Sequence, residues 1–382
     1  MLLLKLVESV DSSESLMTEN DDPFETEAGK AFLAAAADPD ADRQLLYKLK
    51  NANRELSLAA AEAWSGPLYE AQVPWLKSVL SSYKPEVVID VGCEQGLLTR
   101  VIAETLPAAE VRGVDKCAPA IELAESDAPS WDAPAPAFHV WDVRDAWHAE
   151  FAAGKVGLIH ASRSLLGEAI APDAEEPAEL LPGTVPASAE WRREARALAG
   201  RFGFGTEPGS VLVSVERTSL SGALRWAKVL GEHGFKLVPE HSRLLAAPEP
   251  MQPGLQIPAI VFEHVEGPGV SITAAELAAA LVDLPDPADP GPHTSFEGQA
   301  LAIDARQGEN LLSLSWHGGT SRAELWRRPD GGLVEVRMDE AAGTVVWLLP
   351  GWNEAESVER ITREATALAN GRQTSCDPLH CE

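Results

Sequence analysis

Three aspartates, Asp90, Asp115 and Asp142, each close a short apolar run, and the first leads directly into the glycine-punctuated turn Gly92-Cys93-Glu94-Gln95-Gly96. An acid at the carboxyl end of a buried parallel strand stands where open α/β sheets bind ligands. Such a carboxylate can accept from both hydroxyls of a diol, because both its oxygens are acceptors. The glycine spacing narrows the ligand. A dinucleotide turn reads Gly-x-Gly-x-x-Gly so that a pyrophosphate reaches bare backbone at a helix N-terminus. Here only Gly92 and Gly96 are present, and Glu94 puts bulk and negative charge where a phosphate would sit. The pattern favours a ligand with no phosphate and a cationic end, such as S-adenosylmethionine.

The elements that position these residues follow from apolar spacing. Val87 to Val91 lacks polar alternation and predicts a strand covered on both faces. Leu97 to Leu106 has helical spacing and stops before Pro107. Further strands are predicted at 110–114, 137–143, 156–160 and 210–216, with helices at 118–125 and 221–233 between them. Segments 235–238 and 257–265 complete the series. Strands alternating with helices predict an α/β doubly wound sheet.

The run Asp90-Val91-Gly92-Cys93-Glu94-Gln95-Gly96 resembles motif I of the class I S-adenosylmethionine-dependent methyltransferases, Asp/Glu-x-Gly-x-Gly-x-Gly, with Glu94 in place of the middle glycine. The resemblance covers residues 60 to 266 and implies a Rossmann-like seven-stranded sheet ending in an antiparallel pair. It implies a cofactor set of Asp90, Gly92, Cys93, Glu94, Gly96, Asp115, Lys116, Asp142, Val143 and His160. In that set Asp115 grips the ribose hydroxyls, Asp142 receives the adenine amino group, and the Val143 amide meets the ring. Gly157 stands where the family often carries an acid.

Methyl transfer to oxygen or nitrogen is an in-line displacement at a carbon activated by positive sulfur, so the protein mainly positions its reactants. A base is needed only when the nucleophile must lose a proton. His160, at a strand end with an ordinary pKa near neutrality, is the candidate; the alternative is packing or hydrogen bonding beneath the site. Substrate-side candidates are Tyr69 on an N-terminal helix, Arg163 after the fourth strand, and Arg192 and Arg196 on a helix spanning 191–204. Two other classes stay open. One is a non-catalytic scaffold or partner-binding protein of the same fold, supported by Glu94 and Gly157; the other is an NAD(P)-dependent oxidoreductase, which Glu94 disfavours.

At 382 residues the chain has length for about two domains. Its 59 acidic residues against 31 Lys and Arg give a net charge of −28, which disfavours nucleic acid as a partner. No apolar run reaches the length of a membrane span. Met1 to Val10 lacks the marks of a signal peptide, and four cysteines are too few for a disulfide framework, so the expected compartment is the cytoplasm. The expected substrate is a small metabolite or peptide, and no metal is expected.

The expected organisation is an acidic, disordered N-terminus at 1–30, a helical lid region at 31–84 with helices at 45–63 and 67–81, and a methyltransferase domain at 85–267. Within that domain, 169–186 resembles an inserted loop over the substrate side. A helix at 273–284 and a proline-rich linker lie within 268–298, before an antiparallel α+β accessory domain at 299–371 and a flexible tail at 372–382. Strands are expected there at 301–303, 311–316, 323–327, 333–338 and 344–349, with a hairpin at Pro329 to Gly332, a core of Trp316, Trp326, Trp347 and Trp352, and a helix at 354–370. The accessory domain is open to three roles, homodimerisation, substrate presentation or partner docking, and the tail's Cys376, His380 and Cys381 read as disordered in preference to zinc ligands.

Overall fold

The structure is a computed structural model that describes residues 22–38, 41–127, 135–145, 156–166, 170, 188–248, 254–267, 269–286, 288–316, 321–339 and 343–369. The 169–186 insertion apart from Ile170, most of the acidic N-terminus, and the tail with Cys376, His380 and Cys381 lie outside the described residues.

Among the described residues three α-helices precede the large sheet: α1 (Glu27–Ala37), α2 (Arg43–Lys50) and α3 (Arg54–Leu80). The large sheet then alternates with helices as β1 (Val87–Val91), α4 (Leu97–Thr105), β2 (Glu110–Asp115), α5 (Ala118–Asp127), β3 (Ala137–Val140), β4 (Val156–Ser162), α6 (Ala189–Gly205), β5 (Thr206–Val215) and α7 (Leu220–Glu232). It finishes with β6 (Phe235–Leu237), β7 (Arg243–Ala246) and β8 (Gln256–His264). The strand order is β3-β2-β1-β4-β5-β8-β6, with β7 also pairing β8. The first five strands are parallel, and β8 runs antiparallel to β5, β6 and β7. This doubly wound, mostly parallel sheet with an antiparallel edge is the topology that the resemblance implied.

Strand period explains how one sheet serves two cores. Val88, Leu158, Val211 and Val213 face the core shared with α3 and α4, while Ile89, Ile159 and Leu212 face the core shared with α6 and α7. Both faces are covered, which accounts for the unbroken apolar runs. Asp90 and His160 are register partners on neighbouring β1 and β4, so their side chains leave the sheet on the same face, towards α3.

The N-terminal helices differ from expectation. Instead of helices at 45–63 and 67–81, the chain makes short α2 and then one continuous α3 running through Pro67 and Pro74. A proline suits a helix start because it lacks the N–H. Here the buried series Leu68, Tyr69, Val73, Leu76, Val79 and Leu80 continues on one stripe against the sheet and outweighs the lost donors. Asn53 caps the start by accepting from Leu56 N at 2.8 Å.

Beyond the sheet lie α8 (Ala274–Leu281) and α9 (Ser295–Ala305), then β9 (Glu309–Trp316), β10 (Ser321–Arg327), β11 (Leu333–Asp339) and β12 (Gly343–Leu348), and α10 (Glu354–Ala369). The four strands form an antiparallel sheet in the order β12-β11-β10-β9. The expected strand at 301–303 is instead the middle of α9, a correction with a clear cause. Three apolar residues do not distinguish a buried strand from a helix buried on two sides. In α9, Ala300 and Ile303 join the core of the large sheet, while Leu301, Ala302 and Ala305 pack on Val334, Val336 and Val346. The four tryptophans are half-buried around the smaller cores, whose centres are Val334, Val336, Leu325 and Ile361. Two fully buried acids, Glu324 and Glu335, are matched by Arg306 and Arg322 and by Arg337 and Arg360 respectively.

Candidate functional site

The carboxyl ends of β1, β2 and β4 open onto a cavity of about 650 Å³, within the range of small-molecule sites. Asp90, Gly92, Cys93, Glu94, Asp115, Lys116, Asp142 and Val143 all line it. Tyr47, Lys50, Trp64 and Tyr69 from α2 and α3 also line it, with Arg43, Arg163 and Arg217. Three acids from three strand ends thus meet one cavity.

The turn after β1 is built by close packing. Gly92 adopts φ +71°, and a Cβ there would lie 2.3 Å from Ser164 Cβ. Gly96, at φ +81°, starts α4 beneath the Phe138 ring. Gly96 does not line the cavity; it lets the chain enter the helix. Glu94 adopts φ +47°, a region in which side chains are uncommon. Its carboxylate accepts from Lys50 Nζ at 2.7 and 2.9 Å. Burial pushes the Glu94 carboxyl up, but the Lys50 ammonium more than offsets this and holds it below its ordinary value. The negative charge that disfavours phosphate is therefore neutralised by a lysine from α2.

Asp115 accepts from Cys117 N at 2.7 Å through Oδ1 and from Glu94 N at 3.0 Å through Oδ2. Burial raises its carboxyl to about 6, against the lowering effect of the Cys117 amide. Each oxygen keeps a second lone pair, so the group can still accept from a diol. Asp142 lies just beyond β3, accepts from Arg144 N at 2.9 Å and pairs with the Arg144 side chain. That hydrogen-bonded pairing with Arg144, outweighing partial burial, holds the Asp142 carboxyl below its ordinary value.

His160 corrects the expectation of a base. It is fully buried and does not line the cavity. Its Nδ1 lies 2.7 Å from Asp90 Oδ1, and its Nε2 lies 3.3 Å from Gln72 Nε2. Asp90 also accepts from Thr99 Oγ1 at 2.5 Å, and Gln72 Oε1 accepts from Ser162 Oγ at 3.2 Å. With Nδ1–H donating to Asp90 and Nε2 accepting from Gln72, a neutral imidazole satisfies both neighbours. His160 ties α3 to the sheet under the site and has no face towards a substrate.

Arg192 and Arg196 are also placed apart. With Ala189 and Arg193 they line a separate surface depression, and Arg196 pairs with Glu232 at 2.7 Å. Tyr69 and Arg163, by contrast, line the main cavity.

The sequence reading missed Lys50, Gln72 and Glu216 as contributors. Glu216, just after β5, is buried and accepts from Leu165 N at 3.2 Å and Leu166 N at 3.1 Å, fixing the loop after β4. Burial pushes its carboxyl up to about 8, opposed by the backbone amides of residues 164–166. Its only sequence signal was an acid at a strand end, the signal that identified Asp90. Lys50 and Gln72 had none, because their partners lie 44 and 88 residues away.

The arrangement fits a nucleoside bearing a cationic end. The acids at the tips of β1 and β2 and beyond β3 face one cavity, and Asp115 retains acceptor capacity for a ribose. No protein-family model matches the chain, and no curated protein matches it. Among solved structures, it is similar to magnesium protoporphyrin IX methyltransferase from Synechocystis PCC 6803 with bound SAM, at 14% identity over 60% of this chain and 100% of that one, with a TM-score of 0.39. It is similar also to the S-adenosylmethionine-dependent methyltransferase SibL in its apo form, at 12% identity over 69% of this chain and 75% of that one, with a TM-score of 0.38. A third is a TehB-like SAM-dependent methyltransferase from Corynebacterium glutamicum ATCC 13032, at 14% identity over 55% of this chain and 97% of that one, with a TM-score of 0.35.

Proposed function

We propose that this chain is an S-adenosylmethionine-dependent methyltransferase acting on an oxygen or nitrogen of a small metabolite or peptide. The observation that carries the reading is the shared cavity of Asp90, Asp115 and Asp142 at the carboxyl edge of a sheet with this strand order. Asp115 would accept from the ribose hydroxyls, Asp142 and the Val143 amide would meet the adenine, and the turn at Gly92 would pass beside the methionine portion. Bound there, the cofactor would supply an electrophilic methyl group to the acceptor's lone pair with its sulfur as the leaving group, and the acceptor would give up its proton. The protein's contribution is alignment and exclusion of water. With His160 enclosed, an acceptor proton leaves to solvent or to a group on the substrate.

The scaffold reading draws on the Lys50–Glu94 ion pair beside the turn and on the two amides already bonded to Asp115. Calorimetry with S-adenosylhomocysteine separates the two, since a scaffold gives no binding heat. For the enzyme reading, Asp115→Ala weakens that binding by about 1–3 kcal/mol through lost hydrogen bonds to a charged acceptor. Unchanged affinity removes Asp115 from the site.

The same titration has a pH signature. The ionised carboxylate accepts from both hydroxyls, and Asp115 takes up a proton as pH falls through about 6. Affinity is therefore full above that value and falls below it, by about tenfold at one unit lower. Calorimetry across this range on wild type and Asp115→Ala checks the assignment, because only wild type shows the decline.

A further inference from the structure

The strand-tip acids occupy one side of the cavity, and the side formed by the β4 loop and α3 carries a cation that no acid satisfies. Arg163 follows β4 at φ +54° and lines the cavity. A left-handed conformation costs a residue with a Cβ about 1–2 kcal/mol, so the loop holds this guanidinium in place against a local penalty. Glu216 fixes the two residues that follow Ser164 and so sets the loop's position. The Arg163 guanidinium lies 5.7 Å from the centre of the Tyr69 ring. Its hydrogen bond to Tyr69 Oη is long, at 3.5 Å, and its Nε is buried without a partner.

No carboxylate among the described residues forms an ion pair with Arg163. Glu94, also on the cavity wall, is engaged by Lys50 through both oxygens. In a chain with 59 acidic residues and 31 Lys and Arg, an enclosed guanidinium with Glu94 near it but no carboxylate paired to it needs a reason. Desolvating an unpaired cation is costly, and an anionic ligand recovers that cost through charge-assisted, two-pronged hydrogen bonds. The neighbouring wall supplies Tyr47, Trp64 and Tyr69, surfaces suited to a planar or apolar body.

We infer that the methyl acceptor is a small carboxylic acid with an aromatic or similarly flat body, its carboxylate held by Arg163; this rests on the methyltransferase reading. Arg163 belongs to the acceptor side because it follows β4 and stacks on α3, whereas the cofactor's residues lie at the β1 turn, the tip of β2 and just beyond β3.

The test uses the full chain and matched probes, 4-hydroxybenzoate and 4-hydroxybenzamide, titrated with and without saturating S-adenosylhomocysteine. Wild type binds the acid at least about tenfold more tightly than the amide. Arg163→Gln abolishes that preference and Arg163→Lys keeps part of it, while affinity for S-adenosylhomocysteine stays unchanged in both. Equal binding of acid and amide by wild type overturns the proposal without any variant, so a poorly folding substitution does not shelter it. A preference that survives in Arg163→Gln also overturns it. So does a loss of S-adenosylhomocysteine affinity in a folded Arg163→Gln, which would give the guanidinium to the cofactor's own carboxylate. Absence of S-adenosylhomocysteine binding by wild type, with an Arg163-dependent acid preference intact, removes the methyltransferase reading and leaves the acid site standing.

Discussion

Gly92→Ala abolishes binding of S-adenosylhomocysteine and lowers the thermal midpoint. Two independent costs meet at this position. The φ of +71° costs an alanine about 1–2 kcal/mol. The added methyl would also lie 2.3 Å from Ser164 Cβ. Relieving such overpacking costs a further ~1–3 kcal/mol. Relief can come only from moving the β1 turn or the β4 loop, and Ser164 is tied back by its hydrogen bond to Val91 O at 2.8 Å. Either movement displaces residues that line the cavity, so binding fails together with stability. Gly209→Ala is the control: its φ is +90° with no atom within 4 Å of the added methyl, so it carries the conformational cost alone. Calorimetry and thermal unfolding of both variants check this. A Gly92→Ala protein that binds as wild type, or loses no more stability than Gly209→Ala, contradicts the packing argument.

Asp90→Ala is expected to cost about 1–3 kcal/mol of folding stability for each buried donor it leaves unsatisfied. Asp90 is buried and serves two donors, His160 Nδ1 and Thr99 Oγ1, which both lose their acceptor in the variant. His160→Ala removes the link between Asp90 and Gln72 and leaves both facing a cavity the size of an imidazole. Its expected signature is a lower unfolding midpoint with an unchanged pH dependence of turnover. A folded His160→Ala of wild-type stability whose activity loses one limb of its pH profile would restore His160 as the base. The Asp90→Ala, His160→Ala double variant should lose less than the sum of the singles, because the two residues act through one hydrogen bond.

The ends of β1 and β2, the Asp142 position just beyond β3 and the glycine turn were all legible as local patterns. Three apolar residues followed by Asp90, Val91 and Gly92 carry both the strand and the turn within ten residues, since strand burial and positive φ are each decided locally. The prolines of α3 misled for the opposite reason. Their local preference for a helix start is real, but the long apolar stripe that overrides it gains its stability from a sheet formed later in the chain. The run Leu301-Ala302-Ile303 was ambiguous in the same way, because a helix wedged between two cores shows no polar face.

What the sequence by itself determined is the chemistry available: carboxylates at strand ends, a glycine turn with Glu94 in place of its middle glycine, and an acidic chain with few cations. Tertiary structure alone decided which of those groups work together. The register pairing Asp90 with His160 turned a base candidate into a buried strut, and the fold of α2 brought Lys50 onto Glu94. The same packing left Arg163 against Tyr69 with no carboxylate among the described residues paired to it. Charge compensation acts over a few ångströms in space, whereas those partners are separated by dozens of residues along the chain, and only folding converts one distance into the other.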